Sequence, residues 1–536
     1  MARDDRDAPR EVELKLELDP AELEALLAHP LVAGGEPPAT LRSVYYDTAD
    51  GRLARAGCSL RVRATADGFV QTVKADAGAA AGLFDRAEWE VPVTGPRPSG
   101  RALKGTPAAE ALKRSAKGEG AKGEGTKALR PLFTTVMERT KRRVARGETV
   151  ASLTVDSGRV EDGTGRVLPL CEVELELERG APEDLFALAR DLGAAASLRP
   201  GTRSKSERGR ALVAGTLGAV AKAEPVVLPA GATATMGFQA IARSCLRHLA
   251  LNEAALLAER RPEAVHQTRV ALRRLRAALH LFRAVVADEV VEGLKAELKR
   301  LAAPLGRARN LDVFLSETLP AEIERRPEEA GLPDLVRRVE AERVRAYDAV
   351  IAVLGGPEWR RFLLDLVAWI EAGPWLRAED RAARRAMPLA AFGAEALTKL
   401  RRKVAKKGRH LARLDPRARH RVRIGAKRLR YAAEFLEAAY RGGRTRRRQA
   451  GFVEALSALQ EELGALNDIA TGHALAEELV ASLPPEPRGR RSRPAPPKTL
   501  FAAGIVAADV DGRAAGHLER AEAAHSAFRK AKPFWR

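Results

Sequence analysis

The sequence predicts an α+β multidomain protein. An N-terminal antiparallel β tunnel barrel with flanking helices is followed by an all-α domain of two pseudo-symmetric helical halves. Three observations predict this. Up to residue 213, charged and apolar residues alternate in short runs with the period of a strand. Beyond residue 233 that alternation stops, and long Ala/Leu/Arg/Glu segments with helical period take over. Within this second part, a basic segment at His266–Arg276 recurs at His420–Arg430, an offset of 154 residues.

The strands begin at Glu11-Val12-Glu13-Leu14-Lys15, where Glu11, Glu13 and Lys15 share one face and Val12, Leu14, Leu16 and Leu18 the other. Pro20 to His29 reads as a short helix. Leu41 to Thr48 reads as a strand ending in a turn. Leu60–Arg63 and Phe69–Lys74 read as a hairpin turning near Asp67-Gly68. Arg86, Glu88 and Glu90 alternate with Ala87, Trp89 and Val91. Val150–Asp156 and Val167–Leu170 are further strands, and Cys171–Glu178 sets four acids on one face. Such acids would repel unless matched by cations with the same alternation, and Lys15, Arg61, Arg63, Lys74, Arg86 and Arg139 supply them. The economical arrangement inverts the usual small barrel, with a charged lumen and an apolar exterior under helices. Basic groups in such a lumen suit a phosphate chain, and carboxylates suit a hard divalent metal. Lys104 to Lys127, with its Gly/Lys/Glu repeats, reads as a disordered loop.

At 536 residues the chain is too long for one core. Its net charge of +21 and pI near 10.2 point to a polyanionic partner. Aromatics at 4% are few for stacking on bases, which weighs against nucleic acid. Cys58, Cys171 and Cys245 are far apart, so neither disulfide scaffolding nor a cysteine zinc site is expected. The N-terminus lacks an apolar signal-peptide core, and no apolar run reaches membrane-spanning length. The expectation is a cytoplasmic protein with no membrane partner.

Seven segments in order resemble one family: E-x-E-x-K at 11–15, YYDT at 45–48, LRVR at 60–63, TVK at 72–74, RxExE at 86–90, FTTxxxR at 133–139 and EVELEL at 172–177. With SKSERG at 204–209 they resemble the CYTH superfamily, which includes triphosphate tunnel metalloenzymes, over residues 8–213. Within it the likeness is to bacterial inorganic triphosphatases. The resemblance implies metal-dependent hydrolysis of a phosphoanhydride, with Mg²⁺ or Mn²⁺ as cofactor and inorganic triphosphate as substrate. It implies Glu11, Glu13, Asp156, Glu172, Glu174 and Glu176 as metal ligands, with Lys15 as phosphate contact or water activator. Arg61, Arg63, Lys74, Arg86, Arg139 and Lys205 would clamp the substrate.

Residues 214–232, rich in Ala, Gly and Pro, read as a linker. Beyond them, the offset that relates the two basic helices also relates Phe238 to Phe392 and Arg247 to Arg401. On each repeated helix, positions 0, +3, +7 and +10 carry His, Arg, Arg or Lys, and Arg on one face: His266, Arg269, Arg273 and Arg276, then His420, Arg423, Lys427 and Arg430. Two stripes in the same register, histidine included, call for a polyanion. HxxRVxxRRLR, LGxxRNLD, HxxRxxxKRLRY and LGxxND resemble the blocks of the CHAD domain, over residues 233–536. That likeness implies binding of inorganic polyphosphate by the two stripes, with Arg247, Arg401 and His410 as secondary candidates, and association with polyphosphate granules. His280 extends the first stripe, although a lone helix histidine is more often structural. A zinc role for His266 and His420 is disfavoured by the cations around them. Pro484 to Pro497 reads as an exposed basic loop, and Ala502 to Ala531 as a last helix. The same sequence also allows three other readings beside the triphosphatase: a non-catalytic polyphosphate-granule protein, a nucleotide or thiamine triphosphatase, and an adenylate cyclase.

Overall fold

The structure is a computed structural model and describes residues 10–75, 81–113, 125–440, 442–482, 497–512 and 514–536. The chain divides into two compact units. One comprises Met1–Ala219 with Gly355–Pro374, and the other Val220–Leu354 with Trp375–Arg536. The first therefore takes in a short stretch from within the span that the sequence assigns to the helical domain.

The first unit is a closed antiparallel barrel of eight strands: β1 (Arg10–Glu17), β2 (Ala39–Thr48), β3 (Cys58–Thr65), β4 (Gly68–Ala75), β5 (Leu83–Val93), β6 (Leu129–Arg146), β7 (Thr149–Glu161) and β8 (Val167–Arg179). They run in the order β5-β4-β3-β2-β6-β7-β8-β1, and β1 closes the ring by pairing back onto β5. A two-residue strand β9 (Arg199–Pro200) adds to the far half of β1. The alternation expected along each strand holds. Leu14, Leu16, Leu153, Val155, Val173 and Leu175 point outward and are buried, as are Leu185, Leu188 and Leu192 of helix Pro182–Leu192. Burying each such side chain stabilises the fold by about 1.5–3 kcal/mol. A second apolar cluster covers β3 and β4, where Leu60, Val62 and Val73 meet Leu53, Leu103, Ala108 and Leu112.

The stretch expected to be a disordered loop differs in part. Pro107–Lys113 is a helix that buries Ala108, Ala111 and Leu112, because its apolar residues sit at helical spacing over the barrel. Residues 114–124, the Gly/Lys/Glu core of that stretch, lie outside the described residues. The expected turn after YYDT is built by Asp47, whose carboxylate accepts from the backbone N–H of Thr48, Leu53 and Ala54. Helix Lys205–Val213 starts with a capping box. Ser204 Oγ accepts from Glu207 N at 3.2 Å, and the Glu207 carboxylate accepts from Ser204 N at 2.8 Å. Gly209 lies in that helix against the ring of Phe133, so closely that any Cβ would overlap it. Glycine there lets the helix settle on the barrel wall, beside the Tyr45–Phe133 stack with its 4.6 Å centroid separation.

The second unit is helical and repeats itself. Helices Pro262–Leu281 and Pro416–Phe435 are each 20 residues long and related by the predicted offset. Each follows a long helix, Ala234–Ala258 or Leu389–Lys407. Phe238 and Phe392, the offset-related pair, both pack on Phe282, with centroid separations of 5.6 and 4.8 Å. Among the described residues, the expected last helix is two helices, Pro497–Gly512 and Ala514–Lys530. The expected loop at 484–497 lies outside the described residues except for Pro497. The terminal aromatics are buried, and Trp535 Nε1 donates to Thr398 Oγ1 at 2.9 Å. No described helix is long and apolar enough to cross a membrane.

Candidate functional site

The inward faces of the staves enclose a cavity of about 220 Å³. Glu11, Glu13 and Lys15 reach it from β1, Arg61 and Arg63 from β3, and Lys74 from β4. Arg86, Glu88 and Glu90 of β5, Arg139 of β6, Glu174 and Glu176 of β8, and Lys205 complete its charged lining together with Lys141. Eight cationic side chains thus face six carboxylates, a balance that leaves room for a bound anion.

The charges are not evenly paired. Arg86 Nε lies 3.1 Å from Glu11, whose carboxylate also takes Lys74 Nζ at 2.6 Å. Even so, burial and the adjacent Glu13 push Glu11 up to about 7. Glu13 is fully buried, which opposes ionisation, yet Lys15 and Arg86 hold it well below the usual carboxylate range. Directly across the β1–β8 ladder Glu13 faces Glu176, and Lys15 faces Glu174. Like charges in directly opposed positions destabilise a sheet. Burial, with Glu13 as one contributor, raises Glu176. Glu11 and Glu176 thus carry oxygens whose charge the neighbouring cations do not fully offset, and with Glu13 they form a hard-oxygen wall lining the cavity, a donor set that fits a divalent cation.

The opposite imbalance holds around Arg63. Arg61, burial and Arg139 push its guanidinium down to about 10. Its Nε donates to Ser43 Oγ at 3.3 Å, and among the described residues it has no ion-pair partner. Arg61 lies 3.6 Å from Glu90. Arg63 is thus short of negative charge, whereas Arg61 and Arg139 have carboxylate partners.

Beneath the cavity is a closed ion-pair network. Lys15, 1% exposed, lies 3.0 Å from Glu172 and 3.3 Å from Glu13, and it also hydrogen-bonds Glu174. Despite burial, these carboxylates hold its pKa well above the ordinary lysine value. Lys205 lies 2.7 Å from Asp156 and pairs with Glu172 as well, and its pKa is raised for the same reason. Arg139 grips Asp156 through two hydrogen bonds of 2.7 and 2.6 Å. Oxygens of Asp156, Glu172 and Glu174 come within 4.8 Å of one another, a spacing able to hold a cation. Asp156 and Glu172 are each 0% exposed, however, and only Glu174 of the three lines the cavity.

Of the residues expected in the barrel, Glu11, Glu13, Lys15, Arg61, Arg63, Lys74, Arg86, Arg139, Glu174, Glu176 and Lys205 share this one cavity. Asp156 and Glu172 support it from below. Tyr45, Ser59, Thr72, Thr154, Ser204, Ser206 and Lys141 line it too and were not expected. Lys141 was legible, since it lies two residues beyond Arg139 on the same face. Ser59 was legible in the same way, two residues before Arg61 on β3, whereas Ser204 and Ser206 carry no strand period, because the start of helix Lys205–Val213 places them.

In the helical unit the two stripes converge. Arg269 is pushed down to about 10 by burial, Arg273, Arg309 and Arg423, and Lys427 to about 7 by burial, Arg423 and Arg273. Among the described residues, the buried Nε atoms of Arg269, Arg273 and Arg423 have no hydrogen-bond partner. Arg423 lies 3.7 Å from Asp468. Burial and Arg309 hold His266 below its ordinary value. His420 is exposed, with Nδ1 2.5 Å from Asn467 Oδ1. Arg276 is exposed, and Arg430 binds Gln460 and Glu434. Arg401 donates to the Arg529 and Ala531 carbonyls, and Arg247 lies 4.0 Å from Glu224. Their recorded partners thus lie away from the stripes. Arg309, which was not expected, joins the cluster from helix Ala303–Val313. It sits in the LGxxRNLD block, but the shorter LGxxND block lacks its counterpart, so no repeat pointed to it.

The CYTH domain model matches residues 9–209, and the CHAD domain model residues 240–477. Among curated proteins, the inorganic triphosphatase of Haemophilus influenzae is 28% identical over 204 residues, which are 37% of this chain and 54% of that protein. The chain therefore spans about half the length of this curated relative. Among solved structures, the CHAD domain of the plant Ricinus communis is 31% identical, with a TM-score of 0.49, over 59% of this chain and 99% of that one. A Hippeastrum protein named an adenylyl cyclase and described by a dominant triphosphatase activity is 23% identical, with a TM-score of 0.28, over 39% of this chain and 97% of that one.

Proposed function

We propose that this chain, a CYTH domain followed by a CHAD domain, hydrolyses inorganic triphosphate in its barrel and binds inorganic polyphosphate through its helical domain. The observation that carries the first half is the split of charge within one cavity. Glu11 and Glu176, whose ionisation burial and neighbouring acids oppose, face the same space as Arg63, whose charge Arg61, burial and Arg139 oppose and which has no ion-pair partner among the described residues. A metal-bearing phosphate chain answers both deficits at once.

Glu11, Glu13 and Glu176, with Glu174 beside them, would hold the divalent metal, Mg²⁺ or Mn²⁺. When bound, it supplies charge neutralisation at the phosphoryl oxygens. Arg61, Arg63, Arg139 and Lys205 bind and align the chain, so that its terminal phosphorus sits in line for attack by water. Lys15 is held protonated by its carboxylate neighbours. In this reading it donates to an oxygen and orients water, and does not take up a proton. Arg86 and Lys74 position the Glu11 and Glu13 carboxylates. Asp156 and Glu172 fix Lys205 and Lys15 from below.

The second half rests on the crowding of Arg269, Arg273, Arg309, Arg423 and Lys427, whose mutual repulsion a polyanion relieves. The domains proposed are residues 8–213 and 233–536, joined by 214–232.

The test is phosphate release by the full chain from triphosphate, ATP and thiamine triphosphate, each with Mg²⁺ or Mn²⁺. Triphosphate is expected to turn over fastest, and EDTA to abolish the activity. Faster turnover of ATP or thiamine triphosphate, or undiminished hydrolysis in EDTA, overturns the proposal.

A further inference from the structure

The two halves of the helical domain differ at one place where the repeat should make them alike. Arg274 corresponds to Arg428, Arg276 to Arg430, and His280 to Glu434, each pair separated by the same offset. On one side the Glu434 carboxylate takes Arg274 Nη1 at 3.0 Å and Arg430 Nη1 at 2.8 Å. One anion there neutralises two guanidiniums. On the other side stands His280, which lines two cavities: in one no carboxylate accompanies it among the described lining residues, and in the other the single carboxylate, Glu395, is taken by Arg384 at 2.6 Å. The first cavity encloses about 230 Å³ between helices Leu389–Lys407 and Pro416–Phe435, and Lys403, Lys407, Arg421 and Arg428 line it with His280.

The electrostatics follow the missing carboxylate. Burial, Arg428, Lys403, Lys295 and Arg283 push His280 down to about 4, so it is neutral at physiological pH. Burial and Arg276 lower Arg428. No ion pair is recorded for Arg276, Lys403, Lys407, Arg421 or Arg428 among the described residues. Their counterpart site holds an anion built into the chain, and this one has the cations without it.

We propose that this cavity is a second phosphate-binding subsite, in which a phosphate oxyanion takes the place that the repeat gives to the Glu434 carboxylate. The inference rests on the reading of the domain as a polyphosphate binder and adds a direction to it. Arg276 is the last member of the first stripe and neighbours Arg428 of this cavity. A bound chain thus continues past Arg276 at the His280 end, whereas Glu434 closes the equivalent end. The second stripe supplies no such exit.

The test is residue-resolved. Lysine acetylation of the full chain, read by mass spectrometry, is measured with inorganic pyrophosphate as probe. Pyrophosphate is expected to protect Lys403 and Lys407, and to do so equally in the Arg269→Glu/Arg423→Glu chain. His280→Glu supplies the missing carboxylate and is expected to weaken this protection by at least about tenfold, the scale of one charged contact. Exposed Arg276→Gln serves as a second variant and is expected to weaken it in the same direction, whether or not His280→Glu folds. Lysines that stay reactive under pyrophosphate, or protection that persists unchanged in both variants, overturn the subsite. Loss of long-chain polyphosphate retention in Arg269→Glu/Arg423→Glu concerns the stripes alone, so the two readings fail separately.

Discussion

Glu13→Gln is expected to lower triphosphate turnover by about a thousandfold, the scale of several kcal/mol of charge stabilisation removed from the reacting phosphate. Glu13 is the acid at which every element of the barrel site meets. It stands opposite Glu176 on β8, 3.3 Å from Lys15 and 3.4 Å from Arg86. Glutamine keeps its shape and still accepts hydrogen bonds, but cannot contribute a hard anionic oxygen. The variant should also need more metal for half-maximal rate. Removing one partner from a buried charge network costs about 3–5 kcal/mol, so a thermal melt must accompany the rates. Glu178→Gln on the same strand is the control, because Glu178 pairs with the exposed Arg143 at 2.7 Å. Its turnover should stay within about twofold, as for ordinary surface changes. A folded Glu13→Gln chain with undiminished turnover removes the metal from this wall.

Arg269→Glu combined with Arg423→Glu is expected to weaken polyphosphate binding by about a hundredfold or more, since each reversal replaces a charge-assisted contact worth about 1.5–3 kcal/mol with repulsion. Triphosphate turnover should be unchanged. Binding and turnover by the same preparation give the two readouts, and loss of turnover in a folded double variant contradicts separate roles for the domains. The wild-type cleft should also show a pH signature. Lys427 sits near 7 in the free protein, mainly through burial, then through Arg423 and Arg273. A bound polyanion favours its charged form and raises that value. Below the free value Lys427 is already protonated. Above it, binding must take up a proton, so affinity falls as pH rises beyond about 7, by up to tenfold per unit. Calorimetry in buffers of different ionisation enthalpy measures the uptake directly. Lys427→Arg, which keeps its charge, should flatten the slope, and an unaltered slope assigns it to another group.

Much of this was legible because charge followed period two. Glu11, Glu13 and Lys15 could share a face only if β1 were a strand, and Leu14 and Leu16 fixed which face was covered. The inverted barrel follows from these two facts together. The repeat was legible for a similar reason, since histidine and arginine recurred in one register on two helices. Depth was not legible. Nothing in the spacing of Asp156 or Glu172 separates a residue lining a cavity from one lying beneath it, since both faces of that distinction share the same strand parity. The full span of β6 was also hidden, because Lys141, Arg142 and Arg143 break the alternation. Helix Pro107–Lys113 was masked by the polar run that follows it, although Ala108, Ala111 and Leu112 have helical spacing. The difference between His280 and Glu434 was open to view at the repeat offset. Its meaning needed Arg274 and Arg428 to be placed beside them.

The ring closes through its first stave. Lys15 and Glu172 touch across a sequence separation of 157, and the same strand must also find β5. As the chain emerges during synthesis, β1 appears first and waits longest for its second neighbour. Until that late pairing, the lumen is an open groove whose carboxylates and ammonium groups remain hydrated. Removing water from them is coupled to the pairing of β1 with β8, the most distant pairing among the eight staves. Such long-range closure slows folding. It also ties assembly of the reaction chamber to completion of the whole domain, so that a partly made chain has no competent chamber to offer a phosphate.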